Sequence, residues 1–451
     1  MKNLKISNTL TKTKELFKPI NSKNVTMYAC GPTVYDDPHV GNARSLVVFD
    51  LLFRVLKKIY GENNVTYARN ITDVDDKIID IAKEKNLPIE NITKEVTKQF
   101  HSACKNLNCL NPTVEPKATE HIDGMIKMID SLIKKGFAYV NKGHVYFAIS
   151  SFKNYGKLSN KNLDELKAGS RVEVSSFKKN PLDFVLWKPS EEKDPGWDSP
   201  WGRGRPGWHL ECSVMSEKYL GKKFDIHGGG LDLVFPHHEN EIAQSCSNNS
   251  IERMANYWVH NGFLTMDKEK MSKSLGNIVS ISSAVEKYNG QIIRLALLSS
   301  HYKQPLDWNE KLLEQQRSTL DKWYSLYEEK SNTKETSQCF ECLLDDLNTP
   351  EYISKLHELY NEALKGDNKK KESFNNACRL IGIFSDDKEN WEKYKKKSVK
   401  VSEKFIVKKI NERLQARKNR DFKLADKIRD ELLNEGVLIE DKKDKTEWKY
   451  K

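Results

Sequence analysis

No stretch of this chain approaches the ~18 consecutive apolar residues that a helical membrane span requires, which excludes that class of integral membrane protein. The opening residues, MKNLKISNTLTKTKELFKPI, also lack the apolar run of a secretory signal, being interrupted by Pro19 and scattered lysines. A soluble chain in the cytoplasm is the expectation. Cysteine is too sparse for a disulfide framework: eight residues (30, 104, 109, 212, 246, 339, 342, 378) are spread over 451 positions. In a reducing compartment such cysteines are free thiols, metal ligands or catalytic groups. The single Cys-x-x-Cys, Cys339 to Cys342, lies in a charged helical stretch without the strand–helix context of a redox motif. Internal repeats and low-complexity segments are absent as well, which excludes repeat architectures and long disordered tracts.

The remaining composition suits a globular enzyme. Hydrophobic residues make up 38%, aromatics 10% and charged residues 31% of the chain. That is enough for cores under a heavily charged surface. The length predicts two to four domains. Net charge is +11, and it is unevenly placed. Residues 395–451 hold 19 Lys and Arg against 11 Asp and Glu, a surplus of +8. A solvated lysine-rich surface and a polyanion-binding module both account for that surplus.

Hydrophobic periodicity gives the order of elements. Asn24 to Cys30 (NVTMYAC) reads as a strand. Val40, Ala43, Val47, Leu51 and Val55 then recur at intervals of three and four, predicting a helix to about Tyr60. Asn64 to Asn70 is a second strand and Asp76 begins another helix. Strand–helix–strand order predicts a parallel sheet with right-handed crossovers, hence the α/β class. Residues 125–202 read as an insertion, after which Lys223 to His227 resumes the sheet. Asn309 to Trp391 is helical almost throughout. One or two helices from Lys404 to Asn434 and a short strand, Val437 to Glu440, close the chain.

Three short segments carry candidate chemistry. Pro38-His39-Val40-Gly41-Asn42 opens the long helix, whose free N–H groups and positive dipole end suit phosphate. His39 and Asn42 are candidate phosphate ligands, and the bare backbone at Gly41 admits a planar ring. Lys270-Met271-Ser272-Lys273-Ser274 is a cationic, polar loop able to close on a triphosphate. In His237-His238-Glu239-Asn240-Glu241, His237 and Glu241 stand at i and i+4 on one helical face, while His238 and Glu241 form a competing i, i+3 pair. Either pair supplies two metal ligands, and zinc takes three or four from protein. Cys30 and Cys212 are the candidates for the others. Each segment on its own is also compatible with an ordinary helix start, surface loop or surface hydrogen bond.

Taken in order, these segments resemble the HIGH and KMSKS signatures of class I aminoacyl-tRNA synthetases. MYACGPTVYDDPHVGNARS, RNITDVDDKI, GRPGWHLECS, FDIHGGGLDLVFPHHENEIAQS and KMSKSLGN are similar to the cysteinyl-tRNA synthetase family in particular. The similarity runs along essentially the whole chain, including KNRDFKLADKIRDELLNEGVLIED. The resemblance implies a Rossmann-like catalytic domain (1–124 and 203–255) interrupted by a connective insertion (125–202). It further implies a stem-contact region with the KMSKS loop (256–312), a helical bundle (313–400) and a small mixed α/β anticodon-binding domain (401–451).

It also implies one Zn²⁺ held by Cys30, Cys212, His237 and Glu241, with Cys30, Thr72, Trp208 and Asp232 around the substrate cysteine and His209 and His227 in support. ATP, with Mg²⁺ on the nucleotide, would meet His39, Gly41, Asn42, Lys270 and Lys273. Cysteine would be activated as its adenylate and passed to the terminal adenosine of tRNA-Cys by a monomer. Arg417, Phe422, Asp426 and Asp441 would read the anticodon. Two positions depart from the family pattern: Asn42 replaces the second histidine of HIGH, and Phe422 stands where tryptophan is frequent. A mycothiol-type ligase, passing cysteine to an amino-sugar, shares the catalytic half but lacks a basic domain like residues 400–451. A zinc hydrolase leaves both signatures unexplained, and a non-catalytic RNA-binding module leaves KMSKS and the ligand set unexplained.

Overall fold

The five apolar residues at helical spacing all face inward: Val40, Ala43, Val47 and Val55 are fully buried and Leu51 nearly so, along one helix, Val40–Tyr60. That helix ends at Gly61, whose φ of 105° suits glycine and whose N–H returns to the Lys57 carbonyl. The computed structural model describes residues 3–161, 177–272, 275–329, 339–399, 401–442 and 446–450. The chain forms two units, residues 1–309 with 338–355, and residues 310–337 with 356–451.

In the first unit, β1 (Lys5–Asn8) and β2 (Thr13–Leu16) form an antiparallel hairpin. The central sheet begins with β3 (Val25–Ala29) and β4 (Val65–Arg69), paired in parallel across the long helix. An antiparallel sheet of β5 (Ala138–Asn141), β6 (His144–Phe147), β7 (Phe184–Pro189) and β8 (Gly204–Pro206) follows the Ile122–Lys134 helix. The parallel sheet then resumes with β9 (Phe224–Gly230) and β10 (Ala255–Asn261), giving the order β10-β9-β3-β4. A small sheet of β11 (Leu264–Met266), β12 (Glu269–Lys270) and β13 (Leu306–Trp308) adjoins it in sequence.

The parallel α/β class is thus observed. β9 runs through all three glycines of FDIHGGG, past the end expected at His227. A Cβ on Gly228 would lie 2.1 Å from the Phe49 ring, so glycine there lets the long helix pack directly on the sheet. The chain turns one way from β3 to β4 and the other way to β9. Side chains leaving the carboxyl ends of β3 and β9 therefore converge at a topological switch point, where open α/β sheets bind ligands.

A buried ion pair fastens the helices beneath this sheet. Arg294 is fully buried and pairs with Asp50, which also accepts from Arg54 Nε at 2.7 Å and the Leu110 N–H at 2.6 Å.

In the second unit, Tyr324 and Trp391 stack with centroids 4.5 Å apart, and Trp391 Nε1 donates to Asp321 at 3.0 Å. Its last part packs the Glu403–Lys418 and Phe422–Asn434 helices against an antiparallel hairpin of β14 (Val437–Asp441) and β15 (Thr446–Tyr450). Ile406, Ile410, Ile428, Leu432, Val437 and Ile439 form that core. No helix among the described residues is long and apolar enough to cross a membrane.

Removing one partner of a buried ion pair strands the other charge. Asp50→Ala should therefore cost about 3–5 kcal/mol, read as a shift in the urea unfolding midpoint at unchanged slope.

Candidate functional site

Cys30 follows β3 directly, Cys212 lies in the Trp208–Leu220 helix, and His237 and Glu241 follow β9. Their ligand atoms all lie within 4.8 Å of one another. Cys30 Sγ and Cys212 Sγ are 3.7 Å apart, Cys30 Sγ is 3.6 Å from Glu241 Oε1, and His237 Nε2 is 3.1 Å from the same oxygen. Two thiolates bound at ~2.3 Å with tetrahedral angles stand about 3.8 Å apart, and nitrogen and oxygen donors at ~2.05 Å about 3.3 Å apart. The cluster matches those separations. His237 is buried, and its Nε2 faces the Cys212 and Glu241 donors. The other ring nitrogen, Nδ1, lies 2.9 Å from His209 Nδ1. The donor set thus fits a tetrahedral divalent ion of borderline softness.

The competing register has a physical counterpart. Cys30, His227, His238 and Glu241 also fall within the same limit. However, His227 Nε2 is engaged with Glu241 Oε2 at 2.8 Å, and His238 Nδ1 with His260 Nε2 at 2.7 Å. His238 Nε2 is 3.3 Å from Cys30 Sγ but 4.0 Å from Glu241 Oε1. The histidines around the cluster thereby orient its donors.

Burial opposes charge at every member, and the charges are held by one another. At Glu241, burial is outweighed by His227 and His237, which bring the carboxyl down to about 2. At Cys212, burial is outweighed by the hydrogen bond with Cys30 and by His237, which bring the thiol down to about 6. Burial raises Cys30 well above the usual thiol range, and Cys212 and Glu241 add to the effect. His237 is held at about 10, against the cost of burial, by Glu241 and Cys212. The anions therefore stabilise one positive charge at the centre of the cluster, the requirement for a cation site.

The other candidates surround this centre unevenly. The Trp208 ring stacks on His237, with centroids 4.1 Å apart, and stays 36% exposed, so it can wall a small pocket. Thr72 is buried and its hydroxyl donates to Glu211 Oε2 at 2.9 Å. Asn70 Nδ2 donates to Thr72 Oγ1 at 3.2 Å, and Asn70 Oδ1 accepts from the Gly31 N–H at 2.9 Å. A Cβ on Gly31 would lie 1.6 Å from the Asn70 carbonyl oxygen, so the β3 and β4 ends meet backbone to backbone. Asp232 is exposed in the Leu231–Leu233 turn. Glu211 and Asn70 were missed in the sequence reading. The signal available was a carboxylate beside Cys212 and an amide at the end of a strand.

At the start of the long helix, Asn42 Oδ1 accepts from the His39 N–H at 3.0 Å. Asn42 thus caps its own helix. The Val40 N–H reaches the Val279 carbonyl and the Ile281 N–H the Pro38 carbonyl, tying this helix start to the segment after the KMSKS-like motif. A Cβ on Gly41 would lie 2.8 Å from Met271 Cε, so that methionine covers the bare backbone. Lys270 ends β12, and Lys273 lies outside the described residues.

In the second unit, Asp441 receives Arg413 through two bonds of 2.8 Å and Arg417 at 2.7 Å, with Arg429 at 3.6 Å. The hydrogen bonds from Arg413 hold the Asp441 carboxyl well below the usual carboxylate range. Arg417 and Asp441 are therefore partners, Phe422 is 61% exposed, and Asp426 is exposed nearby in sequence. Arg413 and Arg429 were not among the expected residues.

Residues 16–318 match the tRNA synthetases class I (C) catalytic domain. Among solved structures, the chain is similar to Mycobacterium tuberculosis methionyl-tRNA synthetase in complex with methionyl-adenylate. That likeness has a TM-score of 0.58 at 14% identity, over 80% of this chain and 89% of the other. It is also similar to the Agrobacterium radiobacter LeuRS in its ternary complex, with a TM-score of 0.56 at 10% identity, over 81% and 83% of the two chains. At such identities these likenesses show the fold, that of the class I synthetases. More similar relatives are cysteine–tRNA ligases. That of Pelagibacter ubique is 58% identical over the whole of both chains. That of Wolbachia pipientis from Culex pipiens is 51% identical over 98% of this chain and 97% of its own. The chain belongs to the cysteine–tRNA ligase family.

His209→Ala would leave His237 without its orienting partner. It should weaken binding of a divalent ion about 10- to 100-fold, measured by competition with a colorimetric chelator.

Proposed function

We propose that the chain activates L-cysteine with ATP and esterifies it to the terminal adenosine of tRNA-Cys. The observation that carries this reading is the convergent donor set of part-buried Cys30 with buried Cys212, His237 and Glu241, in a chain that also has the ATP-suited helix start at His39. Its donors fit zinc, which when bound supplies an affinity for a thiolate that a serine hydroxyl, a harder donor that stays protonated, does not match. Cysteine is then selected by its sulfur, and no separate editing site is required.

The chain's own groups align the reactants. Trp208 and Thr72 bound the cysteine side chain, and Asp232 balances its ammonium. His39 and Asn42 hold the ATP phosphates while Gly41 passes beneath the adenine, which requires Met271 to move aside. Lys270 and Lys273 stabilise the departing pyrophosphate, with Mg²⁺ on the nucleotide. The cysteine carboxylate attacks the α-phosphorus and pyrophosphate leaves. A ribose hydroxyl of tRNA then attacks the acyl carbon and AMP leaves. Positioning and charge stabilisation are the protein's contributions.

The same reading assigns residues 256–312 to stem contact and residues 401–451 to the anticodon, with Arg417, Phe422, Asp426 and Asp441 facing single-stranded bases. It takes residues 1–124 and 203–255 as the catalytic domain, 125–202 as its insertion and 313–400 as a bundle, in a monomer acting in the cytoplasm.

Cysteine-dependent ATP–pyrophosphate exchange followed by charging of a tRNA-Cys transcript tests the proposal. Absence of exchange with zinc-loaded protein overturns it, and exchange without charging points to another acceptor. Cys212→Ser should raise KM for cysteine about tenfold or more while changing KM for ATP little. Equal effects on both would make the metal purely structural.

A further inference from the structure

The turn after β1 stands at the far end of a hydrogen-bonded path to the metal centre. Thr9 Oγ1 lies 2.7 Å from Nδ1 of His260, a residue of β10. The other nitrogen of that ring, Nε2, lies 2.7 Å from His238 Nδ1. His238 Nε2 in turn lies 3.3 Å from Cys30 Sγ. Four residues from four segments thus stand in single file. His238 and His260 are both buried, so water does not compete for their ring nitrogens. Thr9, at the outer end, is half-buried.

The direction of every bond in this file is set at the sulfur. A metal-bound cysteine is a thiolate, which accepts hydrogen bonds and has none to donate. His238 Nε2 must then carry a hydrogen and donate it. Burial favours the neutral imidazole, which has a single N–H. His238 Nδ1 is therefore left as an acceptor, and His260 must donate to it from Nε2. That leaves His260 Nδ1 as an acceptor in its turn. The last donor has to come from outside the two rings, and the Thr9 hydroxyl is the group in place. The backbone gives that hydroxyl a fixed aim. The Thr9 N–H donates to the Trp258 carbonyl at 2.8 Å. Asn8 spans the same stretch of β10: its Nδ2 donates to the Asn256 carbonyl and its Oδ1 accepts from the Trp258 N–H, both at 3.0 Å. The hairpin is thereby docked two residues from His260.

Resting on the proposed function, we infer that Thr9 is a positioning residue for the metal centre. Its hydroxyl fixes which nitrogens of His260 and His238 carry hydrogen, so that an N–H points at the Cys30 sulfur. A sulfur that accepts such a bond passes less electron density to an ion. Two protein thiolates and a carboxylate then leave that ion acidic enough to take one thiolate more, that of the substrate. The opening residues of the chain thus act on the choice of amino acid without touching it.

Two variants of the full chain test this. Thr9→Val keeps the shape and removes the hydroxyl, whereas Thr9→Ser keeps the hydroxyl and removes the methyl. Each protein is loaded with Co²⁺ in place of Zn²⁺, and the sulfur-to-metal charge-transfer band is recorded. In Thr9→Val the band should move to longer wavelength, because a sulfur that loses a hydrogen bond gives up electron density more readily. In Thr9→Ser it should stay in place. KM for cysteine in pyrophosphate exchange should rise about tenfold in Thr9→Val and stay within about twofold in Thr9→Ser, with KM for ATP little changed in both. An unmoved band in Thr9→Val would overturn the inference. So would Thr9→Ser behaving like Thr9→Val, since packing alone would then be at work, or KM for ATP rising as much as KM for cysteine. If the unaltered protein shows no cysteine-dependent exchange, the proposed function fails, and the cobalt band then decides the role of Thr9 alone.

Discussion

The carboxylate of Glu241 holds the catalytic end of the molecule together. One oxygen accepts from His227 on β9, and the other faces Cys30, His237 and the centre of the cluster. Strand β3, strand β9 and the segment after it thereby meet at one buried anion. A single carboxylate can do this because the parallel sheet reverses its winding between β3 and β9. The reversal opens a crevice whose walls come from segments about two hundred residues apart in sequence.

Around that point each layer fixes the one inside it. His209 and His227 set the donors of His237 and Glu241, and His260 holds the far ring nitrogen of His238. The Asn70–Thr72–Glu211 chain brings the ends of β3 and β4 together and ties them to the Trp208–Leu220 helix. Hydrogen bonds within such a network offset the cost of burying its polar groups. That accounts for a run of histidines, glutamates and amides with almost no exposure in a chain whose surface is otherwise rich in lysine.

Much of this was legible in the sequence, for identifiable reasons. The long helix announces itself because its five inward residues keep strict helical spacing, and β3 and β4 because their β-branched runs are short and bounded. The candidate pair His237 and Glu241 follows from i, i+4 spacing, as its competitor His238 and Glu241 does from i, i+3, and the family resemblance chose between them. The other two ligands have no such spacing, because Cys30 and Cys212 come close only through the sheet's topology, and for those the family resemblance supplied what spacing did not. Glu211 and Asn70 escaped notice because a carboxylate next to a cysteine and an amide after a strand carry no periodic signal. Asn42 looked like a lost histidine. Its carbonyl caps the helix it opens, a role visible only once the backbone is in place. The β14–β15 hairpin was read as one strand, although Thr446–Tyr450 alternates Thr, Trp and Tyr with Glu and Lys as a half-buried strand does.

The cluster of Arg413, Arg417 and Arg429 about Asp441 has a consequence for salt. Most cationic surfaces that meet RNA carry loosely held solution ions, and setting those ions free makes binding fall steeply as salt rises. Here the neutralising group is tethered to the protein, as a built-in counterion. A phosphate arriving at these arginines displaces a carboxylate that cannot diffuse away, so little ion-release entropy is gained. A base edge able to bond Asp441 and an arginine together does not have to displace it. One carboxylate offsets only one of the three arginines, so the cluster keeps part of its attraction to polyanions while its built-in counterion dampens the response to salt.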